Sequence, residues 1–352
     1  MDAVLSYSGL STKIRAMTAK LVSEEQFREI AQLTSLSEVV AYLKKTKEYQ
    51  QRWASLDENQ LHRGTVEKLL KKSVFQDYTK LYHFCSPKQR KFMALYFKRY
   101  EIFVIKECIR YIFDHRNLTG ENAMYTDLSV YAEFFHRHSK LDIDRMVSCD
   151  TMDELIQAIA SSEYYMPLSC VAGRDKALAF DYGMALDLYY FGQIWKVKDR
   201  LFKGVDLENI TKVYGRKFDG INLQWIQRAK QYYAMEPMQI LSLLIPARYR
   251  LKQEDIIALV NAGTMEDFYA ALDRTYYGRK FPQISMAVMD DFYNFLLRTT
   301  LEREARRAPY SVISIYSFLY HKEHEVDRLT TAIECICYGV DPEETLRYIR
   351  NN

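Results

Sequence analysis

Apolar and polar positions follow a helical rhythm that recurs three times along this chain. From Ser35, Thr151 and Thr264 the order is the same: a hydroxyl, an acidic residue three positions on (Glu38, Glu154, Asp267), an apolar residue at +8 (Leu43, Ile159, Leu272) and a second hydroxyl at +11 (Thr46, Ser162, Thr275). The starts lie 151 − 35 = 116 and 264 − 151 = 113 residues apart. A hydroxyl followed three residues later by a carboxylate is the capping box, or its Asp variant, in which each side chain takes a free amide at the helix start. The pattern therefore predicts a helix beginning at each of the three sites. Upstream, apolar residues match at −8 (Phe27, Ile143, Ile256), −5 (Ile30, Met146, Leu259) and −4 (Ala31, Val147, Val260). These place a short amphipathic helix before each capped one. The repeating unit is a helix–turn–helix pair.

Longer helical segments follow each pair, with acidic and apolar residues at related offsets: Glu101 with Ile105, Asp206 with Ile210, and Glu325 with Leu329. The chain parses into three helical bundles, residues 1–118, 119–232 and 233–352, with Gly120, Glu236–Pro237 and the Pro246 loop as punctuation. No run rich in Val, Ile and Thr alternates at period two between turn signals, so the predicted class is all-α. Only 12 Gly and 7 Pro among 352 residues agree with that reading. A repeat near 115 residues argues against a peptide-binding helical scaffold, the rival reading, whose repeats run to roughly 34–47 residues.

Charge removes other possibilities. Forty-nine Lys and Arg stand against 46 Asp and Glu, a net +3, without the clustered basic excess of a nucleic-acid surface. Apolar stretches such as Ile240 to Pro246 are far shorter than the roughly 20 residues that cross a bilayer. The first residues, with Asp2 early, contain no apolar run ending in a small-residue cleavage site, so the chain is expected to carry no targeting segment and to stay in the cytoplasm. Cys85, Cys108, Cys149, Cys170, Cys335 and Cys337 are scattered, which reads as free thiols.

Catalytic motifs are missing. There is no Gly-Lys-Ser/Thr and no Gly-x-Gly-x-x-Gly, the loops that cradle nucleotide phosphates. His136-x-His138 and His321-Lys-Glu-His324 invite a metal reading. The second pair shares a helix face, but it lacks the His-Glu-x-x-His spacing of a zinc peptidase and a third ligand, so packed or solvated helix faces are the preferred reading. Carboxylates such as Asp290–Asp291 or Glu302 and Glu304 could be cast as acid and base, but nothing marks a pair. Twenty-eight tyrosines, several adjacent (Tyr164–Tyr165, Tyr189–Tyr190, Tyr232–Tyr233, Tyr276–Tyr277), read either as packing between helices or as contact surface. The basic clusters Lys44–Lys45–Thr46–Lys47 and Arg298, Arg303, Arg306, Arg307 read as solvated faces or as docking surface for an acidic partner.

Several stretches together resemble subunit d of the V-type rotary ATPases, called the C subunit in their A-type relatives. They are Tyr7 to Met17, Ser35 to Tyr49, Val205 to Lys217 and Pro309 to Leu329, the last carrying Tyr320, Glu323, Glu325, Val326 and Leu329. The resemblance implies three helical bundles related by a pseudo-threefold axis and arranged as a funnel. It further implies a non-catalytic central-stalk adaptor without cofactor or metal. Its wide end would sit on the proteolipid rotor ring at the cytoplasmic face of the membrane, and its cavity would receive the shaft subunits D and F. Through these it would be coupled to the A/B catalytic head and to H+ or Na+ transport. Tyr7, Arg15, Tyr49, Glu101, Asp206, Asn209, Tyr320, Glu323 and Glu325 are the structural or interface candidates. The His-Lys-Glu-His run and the length of the middle bundle depart from the family's pattern.

Overall fold

A computed structural model describes residues 2–54, 56, 57, 62–117, 127–282, 284 and 289–351. Gly120 and the predicted boundary at 118/119 lie outside the described residues. In chain order the helices are α1 (Asp2–Thr18), α2 (Glu24–Ile30), α3 (Leu36–Lys45), α4 (Arg63–Phe84), α5 (Pro87–Asn117), α6 (Ser129–His138), α7 (Ile143–Val147), α8 (Met152–Ala158) and α9 (Tyr165–Ala172). They continue as α10 (Ala179–Leu201), α11 (Gly204–Tyr233), α12 (Pro237–Leu243), α13 (Gln253–Asn261), α14 (Met265–Arg274), α15 (Tyr276–Lys280), α16 (Met289–Arg307), α17 (Val312–Cys337) and α18 (Pro342–Asn351). No strand occurs among the described residues, so the protein is all-α as expected.

The predicted helix pairs are α2–α3, α7–α8 and α13–α14. At the start of each second helix the hydroxyl of Ser35, Thr151 or Thr264 accepts the amide of Glu38, Glu154 or Asp267 at 3.3, 3.2 and 3.1 Å. Glu154 and Asp267 reach back to the cap amide and complete the box. Glu38 instead takes the amide of Thr34, one residue further upstream, at 2.8 Å. The apolar repeat positions Leu43, Ile159 and Leu272 are buried, as are Phe27, Ile143 and Ile256. Val147 is the exception, 37% exposed where Ala31 and Val260 are buried.

Residues 1–90 and 305–352 form one compact unit and residues 91–304 a second. In the first, α17 is buried on nearly every face, most completely from Val312 to Leu319. Val312, Ile313, Ile315, Leu319, Leu329 and Ile333 are all buried, and such a helix must be surrounded. α1, α3, α4 and α18 pack around it. Gly339, at φ +69°, turns the chain out of α17, with its amide on Ile336 O and the next amide on Cys335 O.

In the second unit, α11 lies against α10, α12 and α14. Leu223, Ile226, Leu259, Phe268, Leu272 and Tyr277 share one apolar core there. Two glycines permit close approaches that a methyl would block. A Cβ on Gly215 would lie 2.5 Å from the Tyr249 ring, and one on Gly278 would lie 2.3 Å from Leu272 O. Buried Asn222 fixes the loop after α12, donating to Ile245 O and accepting Ile245 N.

Candidate functional site

The long helices α5, α11 and α17 each carry one carboxylate, half-buried at Glu101 and buried at Asp219 and Glu325, that ties a helix pair in place. Glu325 on α17 accepts the Tyr49 hydroxyl at 2.8 Å on one oxygen and the Val22 amide at 2.7 Å on the other. Glu101 on α5 accepts the Tyr164 hydroxyl at 2.6 Å and that of Ser139, whose oxygen in turn accepts the Leu141 amide at 3.0 Å. Asp219 on α11 accepts the Tyr277 hydroxyl at 2.8 Å and the amides of Tyr249, Arg250 and Leu251 at 3.3, 2.6 and 3.2 Å.

The three sites share one logic. Val22, Leu141 and Leu251 are the residues immediately before the N-caps Ser23, Asp142 and Lys252 of α2, α7 and α13. Tyr49, Tyr164 and Tyr277 follow the hydroxyls Thr46, Ser162 and Thr275 that end each pair's pattern. One carboxylate thus grips the entrance and the exit of its pair. Without these donors it would be a buried, unpaired anion, which is strongly unfavourable. The chain order is also defined: Glu101 and Asp219 hold the pair that follows them, whereas Glu325, near the C-terminus, holds the first pair.

Burial pushes the Glu101 carboxyl above the ordinary carboxylate range, against the pull of the Ser139 and Tyr164 hydroxyls. It pushes Asp219 up to about 6 although four donors favour the anion. The three tyrosine hydroxyls are held protonated, first by burial and then by the carboxylates they face. Each therefore stays a donor.

The first clamp sits within a larger charged cluster. Lys322, fully buried, donates to Glu325 at 2.7 Å, Glu48 at 3.1 Å and the Tyr49 oxygen at 3.2 Å. Burial disfavours its ammonium form, but Tyr49, Glu325, Glu48 and Asp77 outweigh that and raise its pKa. Glu48 also pairs with Arg52 at 3.0 Å, and Arg52 pairs with Asp77. Burial, aided by Asp77, raises the Glu48 carboxyl despite Lys322 and Arg52.

Of the residues singled out in the sequence, the structure brings Tyr49 and Glu325 together and joins Glu101 to Tyr164. Tyr7 is buried in α1 and Arg15 is exposed in its last turn. Asp206 and Asn209 are buried near the start of α11, outside the clamp, with the Asn209 amide nitrogen lacking a protein acceptor. The clamp residue on α11 is Asp219. Tyr320 is half-buried, with His321 and His324 rings 5.6 and 6.0 Å away, and Glu323 is half-buried beside them. Among the described residues no three His, Cys, Asp or Glu side chains gather as a metal-holding group. Sequence reasoning missed Ser139, Asp219 and Lys322 altogether, and reached Tyr164 and Tyr277 only as members of adjacent tyrosine pairs. The signal for these two was present, since Tyr164 and Tyr277 each stand two residues past the repeat's second hydroxyl.

The family model for the ATP synthase (C/AC39) subunit matches residues 10–348. The chain belongs to that family. The C subunit of the A-type ATP synthase of Thermococcus kodakarensis is 23% identical over 97% of this chain and 90% of its own length. The same subunit of Methanosarcina mazei is 24% identical over 92% and 87%, and that of Pyrococcus horikoshii 27% over 96% and 88%. The chain is thus a V/A-type ATPase subunit, matched to its relatives over most of their length. No helix among the described residues is long and apolar enough to cross a membrane.

Proposed function

We propose that this subunit is a non-catalytic adaptor of the central stalk, coupling the turning shaft to the membrane rotor ring. Its partners are the shaft subunits D and F on one side and the proteolipid ring on the other, at the cytoplasmic face, with the A/B head driving or driven through the shaft. The transported ion, H+ or Na+, is held by the ring and not by this chain. The observation that carries the reading is the family match across residues 10–348, nearly the whole chain. Three helical bundles, residues 1–118, 119–232 and 233–352, arranged as a funnel around a pseudo-threefold axis, belong to the same proposal. The thrice-used carboxylate clamp supports it. A torque-bearing part must resist shear between its helices, and a hydrogen-bonded buried carboxylate fixes two chain segments to one helix where apolar packing alone permits sliding.

The test is to tag the chain in its own cell, solubilise membranes in mild detergent and identify the co-purifying proteins by mass spectrometry. Recovery of the A and B subunits, the shaft subunits and the ring protein is the expected result. Recovery of the head with a peripheral stator set, but without shaft or ring, would place the subunit elsewhere in the complex and overturn the coupling role.

A further inference from the structure

Two stretches of the first unit carry no carboxylate. Ala3 to Val22 and Tyr78 to Arg90 hold Lys13, Arg15, Lys20, Lys80, Lys88 and Arg90 and not one Asp or Glu, in a chain with 46 acidic residues against 49 basic ones. The fold packs these stretches together where α1 runs along α4 and the α4–α5 turn. Gln89 donates to Ser6 O at 3.2 Å, and the Lys13 ammonium lies 5.0 Å from the Phe84 ring centroid. Arg90 folds back on the end of α4, 4.8 Å from the Tyr82 ring centroid and donating to Tyr82 O at 3.3 Å. Among the described residues Lys13, Arg15, Lys20 and Arg90 form no ion pair. The carboxylate next in sequence, Asp77, is buried and held by Arg52.

The same corner exposes apolar surface. Leu5 is 76% and Phe84 52% exposed. From Leu5, the exposed residues Ser8, Gly9, Thr12 and Ala16 continue one row along α1 without a charge. The Thr12 and Ser8 hydroxyls donate to Ser8 O and Leu5 O of their own helix, at 3.0 and 3.4 Å, so neither proton points to solvent. A solvent-facing row ordinarily carries a helix's charged residues. Here Lys13 and Arg15 stand on either flank of the row instead. Nor do the cations of α5 serve their helix. Its first turn has no acidic residue, and Lys88 and Arg90 stand at the positive end of its dipole. A positive potential with an apolar crest suits a partner that is anionic and apolar at once.

We propose that this corner of α1, α4 and α5 docks on the surface of a bilayer that contains anionic phospholipids. Leu5 and Phe84 enter the boundary between headgroups and acyl chains, and Lys13, Arg15, Lys88 and Arg90 meet the headgroup phosphates. An acidic protein would satisfy the cations but would need a matching apolar recess for two side chains that stand out from the surface. A lipid layer supplies phosphate and acyl carbon in one plane and needs no such match. With only two apolar side chains to insert, the contact is reversible and depends on the cations. Its place in the cell rests on the reading that the subunit works at the cytoplasmic face of a membrane. Vesicle binding by the isolated chain succeeds or fails apart from the co-purification that decides that reading.

The test is co-sedimentation of the purified full chain with vesicles of phosphatidylcholine alone or with about a third phosphatidylglycerol, which supplies the negative surface potential. The chain is expected to bind the anionic vesicles only, and to be released as salt is raised. Lys13→Gln and Arg15→Gln are each expected to weaken binding about fivefold. Leu5→Ser combined with Phe84→Ser is expected to weaken it about tenfold. Leu5→Ser alone, at a side chain 76% exposed, keeps the apolar part of the test independent of folding. Lys140→Gln, at an exposed cation of the second unit, is expected to change nothing. Absence of binding to the anionic vesicles would overturn the proposal, and so would equal weakening by Lys140→Gln, which would show diffuse attraction. Vesicle binding that ignores Leu5 and Phe84 and is displaced by polyglutamate would make the corner a contact for an acidic protein and overturn the lipid assignment.

Discussion

Tyr277 and Asp219 show at the level of single residues what the clamps do. The phenol is the only side-chain hydroxyl in that clamp, and Tyr277→Phe keeps the ring's packing while removing one donor from a buried carboxylate. Hydrogen bonds to charged groups contribute roughly 1.5–3 kcal/mol, so chemical denaturation should show a loss of that size. Asp219 itself titrates in a useful range. Its folded value of about 6 lies above the model-compound 3.8, so the folded state binds the proton more tightly than the unfolded chain. Its contribution is therefore full below pH 3.8 and is lost as pH rises through about 6. Two pKa units at 1.36 kcal/mol each set the scale at about 3 kcal/mol. Stability measured against pH for the unaltered chain and for Asp219→Asn should give a difference that grows in favour of the unaltered chain as pH falls from 7 to 4; a difference independent of pH would refute the assignment. Little of this was legible beforehand. Tyr49 and Glu325 were singled out separately, but their contact spans 276 residues, and no local periodicity encodes which long helix a given pair will meet. Asp206 was the natural match to Glu101 by offset, yet a carboxylate in a first turn is attracted to that turn's own free amides, and the clamp uses Asp219, deeper in the helix.

Helix starts were the part of the fold that local chemistry makes readable. A hydroxyl and a carboxylate three residues apart act within one turn, so their meaning does not depend on the tertiary structure, and Thr151–Glu154 and Thr264–Asp267 close as capping boxes. Glu38 departs because Thr34 offers both an amide and a hydroxyl, at 2.8 and 3.1 Å, one residue upstream. Thr264→Ala removes the cap of α14 and should cost about 1 kcal/mol in an equilibrium melt. The end of α11 has an unfavourable feature that invites the opposite change. Ala234 caps it in the left-handed region at φ 45°, ψ 41°, where a Cβ costs roughly 1 kcal/mol that glycine does not. Since Ala234 is exposed, Ala234→Gly should stabilise the protein by a few tenths to about 1 kcal/mol, read as a higher denaturation midpoint at unchanged slope. The failure at Val147 has a matching cause. α7 is a single short turn-and-a-half, and burying Ile143 and Met146 on one face rotates Val147 toward solvent.

At the scale of the whole molecule, the first unit is made from both ends of the chain, and its interior explains why neither end suffices. Residues 1–90 contribute Glu48, Tyr49, Arg52 and Asp77, and residues 305–352 contribute Lys322 and Glu325. Separated, the N-terminal segment would bury two carboxylates against one arginine and would lose α17, the helix on which α1, α3 and α4 pack. A fragment of residues 1–90 alone should therefore lack a cooperative thermal transition by circular dichroism. Co-expressed with residues 305–352 it should regain one, because the ammonium and the apolar helix arrive together. Lys322→Met tests the electrostatic share within the intact chain. It preserves most of the side chain's bulk but leaves Glu48 and Glu325 without their common cation, and breaking a buried pair from one side costs about 3–5 kcal/mol. Adding Glu325→Gln to Lys322→Met removes the stranded charge while leaving an acceptor for Tyr49 and Val22, so part of the loss should return. If the double variant were instead as unstable as the sum of the single ones, Lys322 would be acting through packing and not through the carboxylates around it.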